Sequence, residues 1–249
     1  VMRVDDLQER INEYRCGDPE SYRPFRVEVE VTPPLFLTSP WIHLDGVLQY
    51  LCLRDCLGED FYDLPTNYIF SFDEFQLPLQ RTGGVYHASV GIYRAPKLKR
   101  SMIYKRFEDY MIHYHPKLCR KKYRTNMGHF KDWMVSLPFI VTDEVTFYGC
   151  GDMTEVRRLL GHMTHLGKKN VIGGGRIRGL RVEGTDEDYS FYHPEYGVMR
   201  PIPSHLKLPG TIRRGSVLMM LPYKPPYWYK GNVTFCIAPK NQLTEEGDV

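Results

Sequence analysis

Along residues 25–31 apolar and charged side chains alternate strictly, with Phe25, Val27, Val29 and Val31 set against Arg26, Glu28 and Glu30. That period of two predicts a strand with one buried face, ended by Pro33 and Pro34. Upstream, Val4, Leu7, Ile11 and Tyr14 recur at three- and four-residue steps and predict a short amphipathic helix over 2–17. Such a helix must dock on something, and a partner protein is one candidate. Downstream, Leu44, Val47, Leu48, Leu51 and Cys52 form one helical face that stops at Gly58. Tyr86, Ala88, Val90 and Ile92 alternate after Gly83 and Gly84, and Val145 and Phe147 mark a further strand before Gly149. Asp152, with Glu155 three residues on, reads as a helix start. Met153, Val156, Leu159, Leu160 and Met163 make that helix's apolar face, leaving Arg157, Arg158, His162 and His165 opposite. A strand over 176–183 follows, and its alternation slips at Gly179 as a bulge would make it.

The predicted order is strand, helix, strand, polar insertion, strand, helix, loop, strand, a βαββαβ unit. The expected fold class is α+β, an elaborated ferredoxin-like, RRM-like fold with a glycine-rich loop and a basic insertion. Residues 1–23 read as an N-terminal helical extension and 24–184 as the core, with the insertion at about 94–131. Residues 185–249 read as a C-terminal elaboration. It comprises a Pro- and Gly-rich loop to 215 and an antiparallel pair over 217–221 and 233–237.

Charge changes the picture. Residues 94–131 carry twelve Lys and Arg against Glu108 and Asp109, so this stretch holds +10 in a chain whose net charge is +3. A second run, Arg157, Arg158, Lys168, Lys169, Arg176, Arg178 and Arg181, contains no acid. Local excess of this kind points to a polyanion partner. Aromatic residues make up 13% of the chain, and Tyr93, Tyr104, Phe107, Tyr110, Tyr114 and Tyr123 interleave with the central cations. Cationic tracks for phosphates and aromatic faces for splayed bases are what single-stranded RNA recognition uses.

The glycine-rich stretch LGKKNVIGGGRIRG at 166–179 joins the second helix to the last strand. Gly173, Gly174 and Gly175 would let a phosphate approach backbone N–H groups, with Lys168, Lys169, Arg176 and Arg178 supplying charge. Arg94, Lys97, Arg100, Lys105 and Arg106 extend that track, and Tyr93 or Tyr104 is placed to stack on a base. Dinucleotide and NTP loops run from strand to helix, so neither reading fits. The six cysteines include no CxxC pair, and no apolar run reaches membrane-spanning length, so the expectation is a cytoplasmic protein without disulfides, cofactor or metal. Of nine histidines, His43 near the first core helix and His113 and His115 beside Lys117 are the candidates for a general base. His162 and His165, three apart on the second helix, lack an acid on the same face to complete a metal site.

Four stretches carry a resemblance: PLFL at 34–37 with IHLDGVL at 42–48, GIYRA at 91–95, LGKK at 166–169, and GR at 175–176. Together, over roughly 24–240, they resemble the RAMP superfamily of CRISPR-associated proteins, most of all the subunit of type IV effector complexes that holds the 5′ handle of the guide RNA. The resemblance implies a non-catalytic subunit that grips the crRNA handle, caps a filament of backbone RAMP subunits and touches the large subunit. It leaves contact with target DNA open. Because relatives in the superfamily cut precursor guide RNA with a histidine base, it also implies an alternative, a metal-independent endoribonuclease.

Overall fold

The computed structural model describes residues 4–37, 39–65, 70–108, 110, 126–127, 131–206, 216–240 and 242–243. In chain order come α1 (Val4–Glu13), β1 (Tyr22–Thr32), β2 (Leu35–Phe36), α2 (Leu44–Leu57), β3 (Arg81–Thr82), β4 (Val85–Tyr86), β5 (Ile92–Tyr93), β6 (Lys97–Lys105) and β7 (Trp133–Val141). Next are β8 (Glu144–Asp152), α3 (Met153–Leu160), β9 (Arg176–Gly184), β10 (Tyr192–His193), β11 (Gly197–Val198) and β12 (Ile202–Pro203). The last two strands are β13 (Leu218–Pro222) and β14 (Val233–Ile237).

One antiparallel sheet has the order β5-β8-β1-β9. With α2 between β1 and β5, and α3 between β8 and β9, the first and third strands of a βαββαβ chain lie at the centre. That is the ferredoxin-like arrangement the sequence predicts. The alternation of β1 explains its inner face: Phe25, Val27, Val29 and Val31 are at most 1% exposed. Across the ladder Val27 faces Phe147 and Val182. Leu44, Leu48 and Leu51 of α2 and Val156, Leu159 and Leu160 of α3 are buried in the same core. Each such side chain contributes about 1.5–3 kcal/mol of burial. Asp152 caps α3 by accepting from the N–H groups of Thr154 (3.0 Å) and Glu155 (3.2 Å).

The outer face of this sheet is ion-paired and not simply cationic. Arg26 meets Glu28 and Glu183, Arg181 meets Glu28 and Glu30, and Arg94 meets Asp143 and Glu144. The bulge falls where expected: Glu30 pairs with Gly179 but Val31 with Ile177, leaving Arg178 as the extra residue.

The N-terminal helix, expected to dock on something, docks on the common core, where Leu7 and Ile11 are buried and Arg10 pairs with Asp60 at 2.8 Å. Two expectations change. The alternation over 86–92 yields ladders only at its two ends, Tyr86 in β4 and Ile92 in β5, because the hydrogen bonds between them are shared among several segments. Ser89 N–H donates to Tyr148, Val90 N–H to Met199 and Gly91 N–H to Ile42. Helix α3 ends at Leu160, so His162 and His165 lie beyond it and not on a helical face. The described part of the basic insertion is an ordered hairpin, β6 paired with β7 from Lys97–Val141 to Lys105–Trp133 and extended by β2.

Candidate nucleic-acid interface

The glycine loop is stitched to β2 through its backbone. Lys168 N–H donates to Phe36 (3.1 Å) and Gly175 N–H to Pro34 (2.9 Å). Gly173 N–H donates to Asn170 (2.8 Å) and Gly174 N–H to Lys169 (3.1 Å). The three glycine N–H groups are therefore used inside the protein and do not form the open phosphate cradle expected of them. The triplet serves shape instead. Gly175 has φ 64°, and a Cβ there would stand 2.0 Å from the Leu166 carbonyl oxygen. Gly173 has φ 83° but nothing within 4 Å. Gly175→Ala should therefore cost at least about 2 kcal/mol, from left-handed strain plus the clash, and Gly173→Ala about 1 kcal/mol. Urea melts of the two variants check the ranking.

That stitching brings the two basic segments onto one surface. Lys99 pairs with Phe139, Phe139 with Phe36, and Phe36 bridges Lys168. Residues directly opposite on neighbouring strands share a face. The two lysines therefore end one row, with two phenyl rings between them, 5.7 Å apart centroid to centroid. Three strand spacings set the Cα atoms of Lys99 and Lys168 about 14 Å apart. By alternation Lys97 and Lys105 share the face of Lys99, while Arg100 and Tyr104 lie on the other face of the hairpin. Tyr104 is 68% exposed and stands opposite Met134.

The remaining candidates separate. Lys169, Arg106, Arg176 and Arg178 are exposed, Arg176 pairing with Thr32 at the start of β9. Tyr93 is not a base-stacking residue: it is 4% exposed, its hydroxyl donates to Pro40 at 3.1 Å, and burial pushes its pKa up. Arg94 is held by Asp143 (2.6 and 2.9 Å) and Glu144 (3.2 Å), which removes it from the phosphate track. Part of the second basic run is likewise structural. Arg157 donates to the Val182 carbonyl, Arg158 grips Asp55 with two bonds of 2.9 Å, and Arg181 meets Glu30. His113, Tyr114, His115, Lys117 and Tyr123 lie outside the described residues.

Next to the row, Phe36 and Lys168 also border a cleft of about 540 Å³ between α2 and the α3–β9 connection. Trp41, His43, Tyr50, His162, His165 and Tyr227 line it. Behind His43 and Tyr227 of its lining lies a buried polar cluster. Arg200, fully buried, donates to Asp45 (3.1 Å), to the carbonyls of Ala88 (2.9 Å) and Tyr223 (2.7 Å), and to the carbonyl of Tyr86. Tyr227 donates its hydroxyl to Asp45 at 2.7 Å, and its ring stacks on His43 at 3.8 Å and 17°. The C-terminal segment is thereby tied into the core and not appended to it.

Burial pushes His43 down to about 4, with Arg200 acting the same way and Asp45 opposing. A folded value below the unfolded one, about 6.5, means the unfolded chain takes up the proton more readily. Stability should then fall as pH drops from about 6.5 to about 4, by roughly 3 kcal/mol, and level off below. Groups facing His43 are Asp45, Arg200 and Tyr227, with His162, His165 and Lys168 on the cleft walls. His43→Asn isolates its share: the difference between wild-type and variant urea midpoints should shrink with falling pH.

Lys99 is the candidate cation that the sequence reading left out of the track, and the buried Phe36 and half-buried Phe139 are what position it. The period-two placement of Lys97, Lys99 and Lys105 was a signal that could have found that cation. His43, His162, His165 and Lys168 stood out singly in the sequence, but their meeting in one cleft did not, because the lining converges from 36–54, 162–170 and Tyr227.

Residues 23–239 match the family model described as CRISPR type IV associated protein Csf3. Among curated proteins, no sequence matches the chain. Among solved structures it is similar to a chain of "Cryo-EM structure of the Type III-B Cmr-beta bound to cognate target RNA", at 14% identity and a TM-score of 0.38. The match covers 72% of this chain and 65% of that one.

Proposed function

Because the chain belongs to the CRISPR type IV associated Csf3 family, we propose that it is a guide-RNA-binding subunit of a type IV CRISPR ribonucleoprotein. In this reading it grips the 5′ handle of the crRNA, caps the backbone subunits and performs no cleavage. The row Lys99–Phe139–Phe36–Lys168 carries the reading. It brings cations from two distant segments to the ends of one row, with the buried Phe36 and half-buried Phe139 as the spacer between them, a track suited to the phosphates of a single strand. The ion-paired outer face of the main sheet supports placing RNA at the hairpin and glycine loop. The test is purification with sister subunits and a CRISPR array, then sequencing of bound RNA and mapping of its crosslinks. Handle crosslinks to 97–105 and 166–178 are expected; crosslinks confined to the outer sheet face would overturn the placement.

A second reading, metal-independent RNA cleavage, rests on one observation: His43, His162, His165 and Lys168 line a single cleft. A neutral imidazole can accept a proton from a ribose hydroxyl, and a lysine can stabilise the phosphate. Incubation with unprocessed repeat RNA in EDTA separates the two. The binding reading expects intact RNA, and a discrete cut abolished by His43→Ala would replace it.

A further inference from the structure

The cleft does not end at α2. Leu51, Arg54 and His162 line both it and a second hollow of about 280 Å³ that reaches Tyr62, so a continuous groove runs along α2 from Lys168 to Tyr62. Its outer wall is aromatic and exposed: Tyr50 is 47% and Tyr62 66% accessible. Between them lies the Arg54 guanidinium, 5.7 Å from the Tyr50 ring centre and 6.0 Å from that of Tyr62. Layered guanidinium and phenol faces are a platform on which unstacked bases settle. Deeper in, His43 is held by stacking on Tyr227, and among the described residues its ring nitrogens have no hydrogen-bond partner. A neutral imidazole offers one donor and one acceptor, which suits the edge of a base better than a phosphate.

We propose that this groove takes unpaired bases of the bound RNA strand, stacked on Tyr50, Arg54 and Tyr62, with His43 hydrogen-bonding the edge of a base seated in the cleft. The proposal rests on the RNA-binding reading and deepens it. Lys168 stands at the groove mouth, so a strand whose phosphates follow the Lys99–Lys168 row delivers its next nucleotides to the groove. The acids near the far hollow, Asp55 and Glu59, argue against a phosphate track there. Asp55 is engaged by Arg158 at 2.9 Å, leaving stacking as the mode of contact.

The experiment uses the full chain and a short single-stranded oligouridine carrying thiouridine. Tyr50→Ala and Tyr62→Ala remove exposed rings, so they test binding without threatening the fold. Each should weaken binding about fivefold or more, because stacking on an aromatic side chain is worth about that much per base. The salt dependence should stay unchanged, because no phosphate contact is lost. Thiouridine crosslinks should fall on peptides covering 41–62. Wild-type affinity in both tyrosine variants, with Lys168→Glu still weakening binding, would overturn the groove while leaving the RNA reading intact. No effect from Lys168→Glu either would overturn both.

Discussion

Lys99→Glu combined with Lys168→Glu should lower the affinity for single-stranded RNA by at least about 25-fold at 0.1 M salt. Each phosphate neutralised on a single strand contributes about 0.7 to the slope of log affinity against log salt, so each lost contact costs about fivefold at that concentration. Reversal of sign adds repulsion to the loss. The slope itself should fall by about 1.4. Arg158→Gln and Arg181→Gln are the controls, because those cations already face Asp55 and Glu30. They should leave both affinity and slope nearly unchanged. Fluorescence anisotropy across a salt series measures the double variant and both controls. Equal losses in the controls would mean that net charge, and not the row, governs binding.

The largest stability effect should come from Asp45→Ala. It leaves the guanidinium of Arg200 buried without its carboxylate, and breaking a buried pair from one side costs about 3–5 kcal/mol. For a chain of this size that lowers the melting temperature by roughly 10 °C. Replacing both residues with apolar ones should not recover the whole loss. Arg200 also satisfies the carbonyls of Tyr86, Ala88 and Tyr223, which would be left without a donor. The variant should also release Tyr227, whose hydroxyl donates to Asp45, and so loosen the wall behind His43. Arg94→Gln is the contrast, since its ion pairs with Asp143 and Glu144 are solvent-exposed and should leave the melting temperature within scatter. Differential scanning calorimetry of the single and double variants reads the ranking directly.

The local patterns were legible where one period or one cap settles the conformation. Strict alternation over 25–31, the Asp152 cap and the slip at Gly179 each reappear as β1, the start of α3 and the bulge at Arg178. Their order was enough for the ferredoxin-like topology, because a βαββαβ chain has few ways to bury two helices on one antiparallel sheet. The alternation over 86–92 was equally visible but misled. A period of two records which side chains turn inward, not which backbone groups pair with one neighbour, and those of 89–91 pair with three.

The candidate site was legible as chemistry and illegible as geometry. Lysines, arginines and tyrosines in two segments announced an anionic partner, since charge density needs no coordinates. Which cations are available did not follow, because ion pairing is a matter of distances between residues far apart in sequence: Arg94 with Asp143, Arg158 with Asp55, Arg181 with Glu30. Burial likewise removed Tyr93, and pairing across β2 and β7 promoted Lys99. From the residues alone came the strands, the helices and the local excess of positive charge, all legible within a few neighbouring residues. The three-dimensional packing supplied the lysine row, the groove along α2 and the Asp45–Arg200 anchor. Each of these joins segments 40 or more residues apart, and no local pattern encodes such a meeting.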